Sequence, residues 1–145
     1  MGIAVGLAVL AGFAGAVQVA VMGKFGTRIG VVEALTFATA VQLLLAVVLL
    51  LATRLGTGGI AGGFRAPPWL WIGGLMGLFH VFAVTFAQPR IGAAATIGTL
   101  VAGQFVAAAV IDRFGLFGVD QIDISWTRGL GIALLAAGAG LSLAR

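Results

Sequence analysis

No cysteine occurs among the 145 residues, which excludes Cys-based metal sites and thiol nucleophiles and leaves the redox compartment unmarked. Charge is nearly as scarce. Only 8% of the residues are charged, against roughly 25% in an ordinary soluble domain. Four acidic residues and a single histidine cannot supply a sensible set of metal ligands in one chain. No Ser/His/Asp constellation falls within the apolar runs. The glycine-rich stretch Gly56–Gly63 lacks the Gly-Lys-Ser/Thr ending and the preceding strand of a phosphate loop. No enzyme activity, cofactor or metal is expected. Met1-Gly2-Ile3-Ala4-Val5-Gly6 carries no basic n-region, and its apolar run is too long for a signal peptide. It reads as a first membrane span.

What is present is apolar: 61% of the residues are hydrophobic. A helix needs about 20 apolar residues to cross the hydrocarbon core. Five such runs are found, at residues 2–22, 33–53, 67–88, 91–111 and 126–144. Helix is the only sensible state for them, since the alternation of barrel strands is missing and an open sheet leaves its edges unpaired in lipid. The expected fold is all-α, a single transmembrane domain over residues 1–145 with five spans. Gly23–Val32, the flexible Gly56–Gly63 linker with its Thr57, Pro89 and the polar Asp112–Ser125 segment are the expected breaks. Pro67-Pro68 suits the start of span three.

The net charge of +4 does not point to nucleic acid, because the basic residues stand singly in connectors rather than along a stripe. They fit headgroup anchors that snorkel to the interface of a bilayer. Five crossings place Arg54, Arg65, Arg113 and Arg128 on one side and Lys24, Arg28, Arg90 and Arg145 on the other. An excess of Lys/Arg in short loops sets orientation, and here the sides balance. Such a chain inserts both ways and pairs with its own inverted copy, and inverted repeats are a common transporter architecture. Small-xxx-small pairs such as Gly73/Gly77, Ala94/Gly98 and Ala136/Gly140 supply close helix packing.

Polar residues within spans are expensive in lipid and usually face a cavity or a partner. Gln42, His80 and Gln104 fall near the middle of spans two, three and four, with Gln18 nearer the end of span one. These four are the candidate substrate-cavity residues, and Thr39, Thr85 and Thr96 add hydroxyls. Interhelical hydrogen bonding is the competing role for Gln42 and Gln104. Glu33, at the start of span two, is the candidate coupling carboxylate. A first-turn position on the positive end of the helix dipole, with Arg28 close enough to pair, is its structural alternative. Asp112 and Arg128 are expected to form a structural polar pair.

Several stretches stand in a familiar order: Gly15-Ala16-Val17-Gln18, Gly73-Gly74-Leu75-Met76-Gly77-Leu78-Phe79, Pro89-Arg90-Ile91-Gly92-Ala93-Ala94, and Val101-Ala102-Gly103-Gln104. Asp112-Arg113-Phe114-Gly115-Leu116-Phe117-Gly118 and Arg128-Gly129-Leu130-Gly131 complete it. Over nearly its whole length the chain resembles the short, five-helix YdcZ-like members of the drug/metabolite transporter superfamily. The resemblance implies a half-size unit working in a bacterial inner membrane, as an antiparallel homodimer or with a sister chain. Motif match carries Gln18, Gln104 and Asp112 across. Met22 stands where the family tends to have Asn, and His80 where Tyr is expected. The expected function is export of a small polar or amphipathic organic solute by alternating access, coupled to protons if coupled at all. A channel and an accessory subunit of another membrane complex are the alternatives.

Overall fold

The computed structural model describes residues 2–53 and 58–144. The expectations placed on Arg54, Gly56, Thr57 and Arg145 lie outside the described residues. The elements run in the order α1 (Gly2–Ile29), α2 (Val31–Ala52), α3 (Gly58–Arg65), a 3-10 turn (Pro68–Trp71), α4 (Ile72–Ile91), α5 (Ala93–Phe114), a second 3-10 turn (Leu116–Gly118) and α6 (Trp126–Leu143). Among the described residues, five segments are long and apolar enough to cross a membrane: α1, α2, the first 3-10 turn with α4, α5 and α6.

The ends of the spans differ from expectation in instructive ways. Helix α1 continues past Met22 through Gly23 and Gly26 to Ile29. In water each glycine costs a helix about 1 kcal/mol relative to alanine, but in a membrane the same residues permit close backbone approach. Pro89 lies inside α4 rather than closing it. Its missing N–H removes the donor for the Thr85 carbonyl, a defect that membrane helices tolerate. The real stop comes three residues later, at Gly92. Asp112 to Phe114 belong to α5, which ends on the left-handed Gly115 (φ 60°, ψ 34°).

The linker before span three also differs. Gly58–Arg65 is a short helix, with Ile60 and Phe64 four residues apart on one face. Trp71 Nε1 donates to the Gly63 carbonyl at 3.2 Å, and the Phe64 and Trp71 rings meet edge to face at 6.3 Å. An amphipathic turn beside tryptophan is at home in the headgroup layer, where apolar contacts outweigh poor glycine propensity. At the start of that span, Pro68 occupies the first turn as its fixed φ favours.

The chain forms two compact units, one covering Ala20–Pro89, the other joining the chain up to Val19 with the chain from Arg90 onward. In the first, Gly26 of α1 comes so close to α4 that an added Cβ would stand 2.6 Å from Thr85 Cγ2. The Gln88 side chain fills the space beside Gly23. Phe25 and Phe37 tie α1 to α2 edge to face, at 5.6 Å. In the second unit, Gly98 of α5 lies against Ala139 and Ser142 of α6. Small residues thus mark the closest helix approaches, whereas Gly73 and Gly77 have open space where a Cβ would be. The large aliphatic side chains of α1 and α2 mostly point outward, as expected where lipid is the solvent.

Single glycines join the long helices. Gly30 (φ 105°, ψ 150°) links α1 to α2, and Gly92 (φ 85°, ψ 162°) links α4 to α5. That backbone region is nearly closed to other residues. A Cβ at Gly30 would also collide with the Glu33 carboxylate. Gly30→Ala should therefore lower stability by about 1–3 kcal/mol, read as a drop in the thermal midpoint in detergent. An unchanged midpoint would show that the joint relaxes freely.

Candidate functional site

Gln18 projects from α1, Gln42 from α2, His80 from α4 and Gln104 from α5. Gln18 and His80 are half-buried, and Gln42 and Gln104 are exposed on the single chain. The positions divide between the two units, Gln42 and His80 in one, Gln18 and Gln104 in the other. Among the described residues, none of the four side chains takes a hydrogen bond. Within its own unit, among the described residues, neither Gln42 nor Gln104 makes an interhelical hydrogen bond.

The threonines behave otherwise. Thr39 Oγ1 donates to the Leu35 carbonyl at 2.9 Å, Thr85 Oγ1 to Val81 at 2.7 Å, and Thr96 Oγ1 to Gly92 at 2.7 Å. Each hydroxyl is held by its own helix, four residues back. Thr85 and Thr96 are buried besides, so these hydroxyls are not free donors to a cavity.

Glu33 is the third residue of α2, exposed, with its carboxylate folded back over Gly30. A carboxylate in the first turn meets the positive end of the dipole. Among the described residues no ion pair joins it to Arg28. Arg28, Arg65, Arg90 and Arg113 all sit in the last turns of their helices. There the dipole favours cations and the headgroups are within reach.

Asp112 and Arg128 come together, Arg128 Nη1 lying 3.0 Å from Asp112 Oδ2. The pair closes one end of a groove of about 340 Å³ between α5 and α6, otherwise lined by Thr127 and by apolar residues including Phe105, Ala108 and Ile132. A second interaction escaped the sequence reading: Arg113 pairs with Asp123. The intervening loop folds back onto the end of α5, with the Ile122 N–H donating to the Asp112 carbonyl at 2.8 Å and Gln121 Nε2 to the Arg113 carbonyl at 2.8 Å. The left-handed Gly115 makes that reversal, and the Gly-Leu-Phe-Gly that follows Phe114 was its available signal. Ser125 then caps α6, its Oγ accepting from the Arg128 N–H at 3.3 Å. No group of three or more metal-ligating side chains occurs among the described residues.

Five apolar helices with isolated mid-span polar groups form a membrane architecture, and comparison with known proteins agrees. Residues 3–141 match the family described as "Putative inner membrane exporter, YdcZ". The inner membrane protein YdcZ of Escherichia coli (strain K12) is 43% identical over 51 residues, which cover 35% of this chain and 34% of that protein. The aligned stretch is therefore about a third of the relative's length. No solved structure matches the chain. The protein belongs to the YdcZ family and is a multi-pass protein of the bacterial inner membrane.

Proposed function

We propose that two copies of this chain, inserted in opposite orientations, form an exporter for a small polar or amphipathic organic solute. Access to the path alternates between the two faces, as expected where inverted units exchange roles around a central site. Glu33 is the coupling group. A sister chain of opposite orientation would serve in the same way as the second copy. The carrying observation is the lack of hydrogen-bond partners for Gln18, Gln42, His80 and Gln104 among the described residues. An unpaired polar group in the hydrocarbon core costs several kcal/mol. Contact with water, with a solute or with a second chain removes that cost, and an exporter supplies all three. The even division of basic residues supports the inverted pairing.

Flux of a solute panel in proteoliposomes tests the reading. Saturable exchange supports an exporter, non-saturable conductance indicates a channel, and no flux indicates an accessory subunit. Gln104→Leu should lower flux at least tenfold while leaving the thermal midpoint unchanged, since Leu brings no unmet hydrogen bond of its own. Parental flux in that variant would remove α5 from the path.

A further inference from the structure

Arg-Ile-Gly occurs twice, as Arg28-Ile29-Gly30 and as Arg90-Ile91-Gly92. A shift of 62 positions superposes the two, and without a gap it also lays Gly12 on Gly74, Gly15 on Gly77 and Val19 on Val81. Beyond the glycine it lays Ala40 on Ala102, Gln42 on Gln104 and Val48 on Val110. Apolar matches are cheap in a composition this narrow. A shared arginine and a shared glutamine are not, with eight basic residues in the whole chain.

The structure repeats with the sequence. Helices α1 and α4 end at the equivalent Ile29 and Ile91, and α2 and α5 are each 22 residues long, beginning and ending at equivalent positions. The joints share one backbone conformation, φ 105° and ψ 150° at Gly30 against φ 85° and ψ 162° at Gly92. The first hydrogen bond after each joint is the same, from the Ala34 N–H to the Gly30 carbonyl at 3.0 Å and from the Thr96 N–H to the Gly92 carbonyl at 3.1 Å. Burial repeats in part: Met22 with Val84 and Ala34 with Thr96 are buried at equivalent positions, whereas Ala102 and Ala109 are buried and their counterparts Ala40 and Val47 exposed.

The four mid-span polar residues fall into this register. Gln18 and His80 each stand twelve residues before their joint glycine, and Gln42 and Gln104 each stand twelve after it. At 1.5 Å per residue all four lie about 18 Å along their helices from a joint, more than half the thickness of a core about 30 Å thick.

We infer that the chain is a duplicated helix pair completed by α6, and that Gln18 with His80, and Gln42 with Gln104, are counterpart positions with one duty on the solute path. His80 is then the imidazole form of an amide position, and the Gln18/His80 difference is the specificity-determining departure between the copies. The duplication stands on sequence and backbone alone. The duty assigned to the counterparts rests on the exporter reading.

The absence of native cysteine makes the test clean. Single variants Gln18→Cys, His80→Cys, Gln42→Cys and Gln104→Cys are reconstituted and treated with a charged, membrane-impermeant methanethiosulfonate. Leu43→Cys and Phe105→Cys, also counterparts, serve as apolar references. Rates should agree within about threefold inside each pair and exceed the references at least tenfold, because only thiols that reach water ionise and react. A tenfold split within a pair overturns the inference and leaves the exporter reading in place. Four sites as unreactive as the references overturn both. Where a polar variant fails to fold, Ala46→Cys and Ala108→Cys, counterparts one turn farther along α2 and α5, repeat the comparison.

Discussion

Two lysines added to the α3 segment should silence transport, and a second variant biased the other way should restore it. Gly62 and Gly63 suit the substitution, because an added Cβ meets nothing within 4 Å at either position. Gly62→Lys with Gly63→Lys breaks the balance of the basic residues, and a cytoplasmic Lys/Arg excess then fixes one orientation. If the working unit needs both orientations, flux should fall below about a tenth of the parent, the scarce orientation limiting the number of pairs. Thr27→Lys combined with Arg65→Ala tips the balance the other way and should be equally inactive alone. Coexpression should recover most of the parental flux. Insertion itself is read independently, by thiol labelling of Asp120→Cys in the exposed loop before α6. In the parent background label should arrive from both sides of the membrane, and in each biased background from one. Parental flux from either biased variant alone would refute the inverted pair, and one-sided labelling in the parent would make a sister chain the required partner.

The five spans could be read directly, because length and hydropathy are what a bilayer selects. Their ends could not. Gly23, Gly26 and Pro89 look like breaks by the rules of helices in water, yet α1 and α4 run through them. In lipid the backbone has no alternative partner for its hydrogen bonds, so a helix persists where water would end it. The true stops are Gly30 and Gly92, recognisable by their backbone angles rather than by residue type. Helix α3 was hidden by its glycines. Its support comes from the contacts of Trp71 with Gly63 and Phe64, which no local propensity reports. The polar candidates were visible because so few exist. Which of them are unpartnered was not, since Thr39, Thr85 and Thr96 turn back on their own helices while the amides do not. The Arg113–Asp123 pair depends on the loop reversal at Gly115, a consequence of tertiary geometry.

Glu33→Gln should abolish the response of transport to a pH gradient while leaving the helix joint intact. The competing explanation for this carboxylate is structural, since a glutamate in a first turn stabilises a helix by about 0.3–1 kcal/mol. The second copy of the joint weakens that explanation. Helix α5 starts after Gly92 with the same backbone angles and the same first hydrogen bond, and the counterpart of Glu33 there is Ala95. The fold therefore makes this joint without a carboxylate, and no ion pair with Arg28 holds Glu33 among the described residues. An acidic group at a membrane-helix end that the joint itself does not require is a functional candidate. Protons compete with a cationic or polar solute for such a group, so solute binding by the parent should weaken as pH falls. Gln keeps the size and the hydrogen-bonding oxygen but cannot titrate. Binding by Glu33→Gln should accordingly be flat with pH, and counterflow without a gradient should persist. His80→Phe should instead weaken solute binding and leave the shape of the pH profile alone, because it removes a hydrogen-bonding group and not the carboxylate proposed for coupling. If flux through Glu33→Gln still follows an imposed pH gradient as the parent does, the coupling role is refuted and first-turn stabilisation is what remains for Glu33.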